Sequence, residues 1–137
     1  MLFQNTMKLL QKYGINFLNG LGTTLLLALI SVSIGCVIGA LVAIMRLSKS
    51  KVLRSIATVY TEVIRDTPLL LQLYFFWIGL PKLVPFELTD TQCIVAALVV
   101  NASAFISEII RAGIGAVDKG QWEAARSIGL SEAHVMT

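Results

Sequence analysis

Three long stretches of the chain carry no charged residue. They cover residues 13–45, 67–81 and 91–107. A helix that crosses a bilayer needs roughly 20 mostly apolar residues. The first stretch meets this requirement alone, and the other two meet it together with their flanks. The pattern predicts an all-α transmembrane chain with about three spans, over residues 20–45, 55–80 and 91–110.

Residues 1–19 precede the first span and differ from it in pattern. They contain two lysines, and Phe3, Met7, Leu10 and Phe17 give the segment a weak apolar side. A helix of this kind lies at a membrane interface more readily than it spans the bilayer. We therefore expect an interfacial lead-in before the first span.

Small residues recur at every fourth position of the first span, at Ser31, Gly35, Gly39 and Ala43. This spacing places them on one helix face, where another helix backbone can approach closely. The face is predicted to pack inside the protein, and contact with another subunit is the alternative.

Basic residues are concentrated in the short segment 46–54, which contains Arg46, Lys49, Lys51 and Arg54. Because short loops rich in Lys and Arg stay in the cytoplasm, the segment is predicted to be cytoplasmic and the N-terminus to lie outside. With alternating spans, residues 113–137 are cytoplasmic too. The net charge of +3 is thus explained by topology, and no aromatic and basic platform for nucleic acid is visible.

The second predicted span, 55–80, is interrupted by charges and a proline. A continuous helix over this range would be about 39 Å long, which exceeds a ~30 Å hydrocarbon core. Pro68 cannot donate a hydrogen bond to the carbonyl of Ile64, so a kink or break is expected there.

Five polar residues near the predicted spans form a candidate substrate pathway, because ionisable groups inside a membrane are functional by default. The alternative is structural. Glu62 and Arg65 have the spacing of an ion pair that orders the kink, and Glu108 and Arg111 have the same spacing at the end of the third span. Asn101 would then bond to a neighbouring helix. The candidates are Glu62, Arg65, Asp66, Asn101 and Glu108.

Helix-capping signals appear before the third span and in the tail. Thr89 and Gln92 have capping-box spacing. Asp118 with Gln121 can begin a helix, Gly129 can end it, and Ser131 can begin another, so residues 118–137 are predicted to form a helix-turn-helix. The chain ends at Thr137 within that second helix, which predicts a C-terminally truncated fragment lacking further spans.

The tail contains Glu123-Ala124-Ala125 followed by three residues and Gly129. This resembles the EAA signature of ABC importer permeases. The surrounding residues 101–131 and the block Glu62–Gln72 are similar to the polar amino-acid uptake branch of that family, and the resemblance covers roughly residues 15–137. The family often has Gly at the position of Asp66, Tyr at that of Phe105 and Pro at that of Asp118.

The resemblance implies a function and a set of partners. The EAA segment of such permeases is a coupling helix that docks on a cytoplasmic ATP-binding subunit, and closure of two such subunits switches the permease between inward- and outward-facing states. A second permease subunit, identical or not, an external solute-binding protein and membrane lipid complete the set, in a bacterial cell membrane. The docking residues implied are Gly120, Glu123, Ala124, Ala125 and Gly129.

The resemblance also implies a polar amino acid as substrate and no enzymatic activity of this chain. No cofactor or metal is expected: His134 has no ligand partner at suitable spacing, and no phosphate-binding loop is present. Two alternatives stay open. One is an ABC permease for a different small solute, and the other is a membrane anchor or scaffold that transports nothing.

Overall fold

The structure is a computed structural model that describes residues 2–129, without the side chains of residues 2–11, 119 and 122. This part of the chain contains helices and no strand, in agreement with the predicted all-α class. The helices are α1 (Leu2–Leu47), α2 (Lys51–Asp66), α3 (Leu69–Tyr74), a π-helical segment (Phe75–Gly79), α4 (Leu80–Leu83), α5 (Asp90–Gly115) and α6 (Lys119–Ser127).

Helix α1 is continuous from Leu2 to Leu47, so the expected lead-in does not form a separate helix. No proline interrupts this range. The hydroxyls of Thr23 and Thr24 donate to the carbonyls of Asn19 and Gly20 at 3.0 and 2.8 Å, which keeps both side chains on the helix itself. The 46 residues of α1 extend over roughly 69 Å, more than twice the thickness of a hydrocarbon core.

Among residues 2–129, two helices are long and apolar enough to cross a membrane, Lys12–Leu47 within α1 and Asp90–Gly115, which is α5. Between them lies a shorter apolar helix, Leu69–Leu83, that comprises α3, the π-helical segment and α4. The expected helix over 55–80 is therefore divided. Helix α2 ends at Asp66, and Thr67 and Pro68 are extended, with ψ angles of 129° and 134°.

Helices α1 and α5 pack through the small-residue face of α1. Ser31, Gly35, Gly39 and Ala43 are all buried, which confirms that this face packs inside the protein. A Cβ atom at Gly35 would lie 2.8 Å from the Cβ of Ala102, and one at Gly39 would lie 2.9 Å from the Cβ of Ile106. The absence of side chains at these glycines allows the close approach.

The same contacts give the relative directions of the helices. Gly35 lies against Ala102, and Gly39, four residues further along α1, lies against Ile106, four residues further along α5. The two helices therefore run parallel. The segment between them runs the opposite way. Near its start Gln72 bonds to Asn101, and further on Trp77 donates to Asp90 at 2.8 Å, at the beginning of α5.

Two of the three predicted helix starts lie in the described residues, and both are present. Thr89 and Gln92 form a capping box at the beginning of α5, with each side chain bonded to the backbone of the other. Asp118 is the N-cap of α6, and its carboxylate accepts a hydrogen bond from the Gly120 amide at 2.6 Å. The predicted restart at Ser131 lies outside the described residues.

We predict that Gly39→Ala destabilises the packing of α1 on α5. The added methyl would lie within 3 Å of Ile106 and of the Ser103 carbonyl, and overpacking of this kind costs about 1–3 kcal/mol. Thermal unfolding in detergent measures the effect. Gly22→Ala is the matched control, because nothing lies within 4 Å of a Cβ at Gly22. Equal melting temperatures for the two variants would contradict the packing account.

Candidate functional site

Glu108 lies at the centre of an ion-pair cluster formed by three helices. Its carboxylate accepts hydrogen bonds from Arg46 in the last turn of α1 and from Arg111 one turn further along α5. Arg65, near the end of α2, has a guanidinium nitrogen 3.6 Å from the same carboxylate. We call Arg46, Arg65, Glu108 and Arg111 the Glu108 cluster. It joins the ends of α1 and α2 to the last third of α5.

The Glu108 cluster holds three positive charges against one negative charge. The side chain of Arg46 is 11% exposed and that of Glu108 is 20% exposed, so their attraction is screened less than that of a surface pair. Arg65 and Arg111 are more exposed, and Arg65 also lies over the ring of Phe105, 5.5 Å from its centroid. A cation on an aromatic face gains a further attraction. The cluster therefore combines one shielded ion pair with two guanidinium groups that remain accessible.

The structure confirms the predicted pair of Glu108 with Arg111. The pair suggested by the spacing of Glu62 and Arg65 is not among the ion pairs of residues 2–129, where Arg65 is paired with Glu108 instead. Glu62 and Asp66 are exposed, so these two candidates are not brought into the cluster. Helix α2 presents Arg65 on the side that faces α5, and this side chain reaches Glu108 and Phe105 together.

A second polar group closes the break between α2 and α3. Gln72 is buried, and its amide nitrogen donates to the carbonyl of Ile64 at 2.6 Å and to that of Thr67 at 2.9 Å. Its amide oxygen accepts a hydrogen bond from Asn101 on α5 at 3.2 Å. Asn101 thus bonds to a neighbouring helix, as its structural alternative predicted. The bond to Ile64 replaces the one that Pro68 cannot donate.

Hydroxyl groups position α2 against α5 between the Glu108 cluster and the hydrogen bonds of Gln72. The Tyr60 hydroxyl lies 2.6 Å from the Ser103 hydroxyl and donates to the carbonyl of Val100 at 3.2 Å. Thr61 is buried, with its hydroxyl 3.4 Å from that of Ser107. All of these bonds to α5 fall within residues 100–108, the same stretch that contains Asn101 and Glu108.

An apolar cleft of about 570 Å³ opens beside the helix break. Its walls come from α2, α3, the π-helical segment and α5, and they include the two residues whose carbonyls Gln72 binds. A π-helical turn inside an α-helix is frequently found at functional sites. The cleft is lined by Tyr60, Val63, Ile64, Thr67, Leu71, Gln72, Phe75, Phe76 and Val100.

The tail after α5 is exposed along most of its described length. Glu123 and Ala124 are exposed, Ala125 is half-buried, and Ile128 is 78% exposed despite being apolar. Gly129 has a φ of +83°, a conformation that L-residues rarely adopt. The predicted helix stop at Gly129 is therefore present, whereas His134 lies outside the described residues.

Sequence reasoning missed two residues of these groups. The sequence predicts for Arg46 only a place in a topology-determining loop, and nothing local in the sequence connects it with Glu108. Gln72 had a readable signal, because an amide side chain follows Pro68 by one helical turn. Within residues 2–129, no group of three or more His, Cys, Asp or Glu side chains could hold a metal ion.

Curated relatives of the chain are transport proteins from bacteria. It is 42% identical over 119 residues to the arginine transport system permease protein ArtQ of Bacillus subtilis, covering 87% of this chain and 54% of that protein. It is 39% identical over 119 residues to the putative glutamine transport system permease protein GlnP of Rickettsia prowazekii, covering 87% and 55%. The chain thus spans about half the length of the curated relatives it matches.

A solved structure shows the same fold. The crystal structure of an amino acid ABC transporter with histidines contains a chain that is 44% identical to this one, with a TM-score of 0.86 over 93% of this chain and 59% of that chain. At this identity, the likeness supports common descent as well as a common architecture.

The family itself is identified over most of the chain. Residues 35–137 match the family described as binding-protein-dependent transport system inner membrane component. This range includes the Glu108 cluster, the helix break and the exposed tail. The chain therefore belongs to the family of inner-membrane components of binding-protein-dependent transport systems.

Proposed function

We propose that this chain belongs to the permease subunit of an ATP-driven importer for polar amino acids. The observation that carries the proposal is the Glu108 cluster, which joins the ends of α1 and α2 to α5 seven residues before α5 ends at Gly115. A transporter needs such a joint, because movement at one end of a helix must reach its neighbours. The family and its named relatives supply the class of transport.

The proposed topology has about three crossings in the described region. Parallel α1 and α5 require the chain to return between them, and the antiparallel segment Leu69–Leu83 provides the return. The basic segment 46–54 and the tail 113–137 would then face the cytoplasm, with the N-terminus outside. The bacterial relatives favour the cell membrane as the location.

The proposed coupling segment begins at α6. Only residues 116–118 separate α5 from α6. Because this link is short, a displacement of α6 would also displace the end of α5. The small, exposed residue Ala124 admits a close partner, Glu123 can accept a charge-assisted hydrogen bond, and Gly129 turns the chain. The residues proposed to dock the ATP-binding subunit are Gly120, Glu123, Ala124, Ala125 and Gly129.

The proposed substrate pathway passes the break and the Glu108 cluster. An amino acid carries an ammonium and a carboxylate, and both kinds of complementary group are present. Exposed carboxylates lie at Glu62 and Asp66, whereas Arg65 presents an accessible guanidinium group. The other two proposed pathway residues are Asn101, which bonds to Gln72, and Glu108, which pairs with Arg65. A second permease subunit and an external solute-binding protein are the further partners that we infer from the family.

Two other functions are less well supported. A permease for a different solute would share the fold and the tail, but the named relatives include permeases for arginine and for glutamine. A scaffold that transports nothing would have no need of a tail helix with exposed apolar and acidic groups. Ile128 on that tail is 78% exposed, which favours a docking role.

We predict ATP-dependent uptake of a polar amino acid when the full-length protein is reconstituted in liposomes with its ATP-binding subunit and binding protein. Labelled arginine, glutamine, histidine and a sugar are compared under the same conditions. The account expects uptake of at least one amino acid and none of the sugar. Uptake of the sugar alone would show a permease of another class, and uptake of neither would favour a scaffold.

We also predict that Gly129→Ala weakens association with the ATP-binding subunit roughly tenfold, because an L-residue in the left-handed region costs about 1–2 kcal/mol. The matched control is Gly115→Ala, at a position where a Cβ meets nothing within 4 Å and φ is not positive. Co-purification at increasing salt measures the difference. Retention of the ATP-binding subunit by both variants would exclude a role of the turn in docking.

A further inference from the structure

The helix break brings two backbone carbonyls to one point. Helix α2 ends at Asp66, and the extended residues Thr67 and Pro68 leave carbonyls of the last turn without backbone donors. The Val63 carbonyl is bonded by the Thr67 hydroxyl at 2.6 Å. The carbonyls of Ile64 and Thr67 instead converge on a single nitrogen.

That nitrogen belongs to the side chain of Gln72. The residue is only 4% exposed, and both of its amide N–H groups are used, at 2.6 Å to Ile64 and 2.9 Å to Thr67. Ile64, Thr67 and Gln72 all line the apolar cleft of about 570 Å³ beside the break. The surface of the cleft is almost entirely apolar, so a donor entering from it would reach the two carbonyls only after the Gln72 amide had moved away.

We propose that these two carbonyls form a binding site for the ammonium group of the transported amino acid, and that the Gln72 amide occupies the site in this structure. This inference rests on the proposed function for the identity of the ligand. Substrate binding would exchange the amide N–H groups for ammonium N–H groups at the carbonyls of Ile64 and Thr67. The Gln72 amide then competes with the ammonium group for the two carbonyls, and this competition lowers the affinity for the ligand.

The chemistry of the break favours an ammonium group over a neutral donor. An ammonium has three N–H groups, and its charge-assisted bonds to carbonyls are about twice as strong as those of an amide. The C-terminal end of a helix carries a negative partial charge, which attracts a cation. Carbonyls of interrupted helices bind cations in other transporters. The apolar cleft can accept the remainder of the ligand.

A simpler role for Gln72 is to cap α2 permanently, held by Asn101 at 3.2 Å. The two roles make opposite predictions. If Gln72 only caps the helix, its removal leaves two buried carbonyls unpaired and can only weaken any site nearby. If it competes with the ligand, its removal frees both carbonyls and strengthens ammonium binding.

The first test uses the unmodified full-length protein in lipid nanodiscs, with its glutamine side chains labelled with ¹⁵N. The probe is n-butylammonium, and n-butyltrimethylammonium is the control because it has the same charge and no N–H group. The Gln72 amide signal is expected to shift in a saturable manner with the first probe only. If the Gln72 amide signal shifts with neither probe, or shifts equally with both, the proposed site is contradicted.

The second test measures binding of L-arginine and L-glutamine to Gln72→Met, a variant of similar volume without donors. Affinity is expected to rise roughly three- to tenfold, because one competing hydrogen-bonded group is removed. Binding of the Nα-acetylated amino acids, which lack the ammonium, should stay the same. Lower affinity in an assembled variant overturns the proposal. If the variant does not assemble, the response of the Gln72 amide signal to n-butylammonium in the unmodified protein is the deciding result.

The two tests separate the site from the proposed function. The n-butylammonium response does not depend on transport, so a clear response without amino-acid uptake would support the site and contradict the importer. Uptake without any amide response would support the importer and contradict the site.

Discussion

The ion pair between Arg46 and Glu108 is the interaction on which the rest of the site depends. An ionised group near a hydrocarbon core is costly unless it is paired, and a pair that joins distant segments fixes their relative positions. Here the two side chains are 62 residues apart in sequence and only 11% and 20% exposed. Arg65 and Arg111 also form ion pairs with the same carboxylate, so α1, α2 and α5 meet at one acidic residue.

The helices can meet there because their backbones approach closely along the small-residue face of α1. Lipid tails are as apolar as leucine side chains, so helix association in a membrane relies on packing and polar bonds. Gly35 and Gly39 supply the packing against Ala102 and Ile106. The Tyr60 and Thr61 hydroxyls supply polar bonds from α2 to α5. Close packing thereby brings Glu108 within reach of its three partners.

The break after α2 interrupts the helical hydrogen bonding within this arrangement. A continuous helix would have no free carbonyls there, whereas Thr67-Pro68 exposes two that one side chain satisfies. Because Gln72 is in turn bonded to Asn101, the break is connected to α5 within seven residues of Glu108. The same short stretch of α5 thus contacts both the proposed ammonium site, through Asn101, and the ends of α1 and α2, through Glu108.

The features that could be predicted from the sequence are those with a local signature. The small-residue face, the capping box at Thr89, the cap at Asp118 and the break at Pro68 each follow from spacing or from the chemistry of a single residue. Long-range partners have no such signature. Arg65 could pair with Glu62 by spacing, yet it pairs with Glu108, because tertiary packing brings α2 against α5. For the same reason the importance of Arg46 could not be read locally.

A double-mutant cycle on Arg46 and Glu108 tests the central claim most directly. The full-length protein, Arg46→Gln, Glu108→Gln and the double variant are compared by thermal unfolding in lipid nanodiscs, with the cycle of Glu62→Gln and Arg65→Gln as reference. The account predicts a coupling of at least about 1 kcal/mol for Arg46 with Glu108 and none above about 0.5 kcal/mol for the reference pair. Additive effects of the two cluster variants would contradict it.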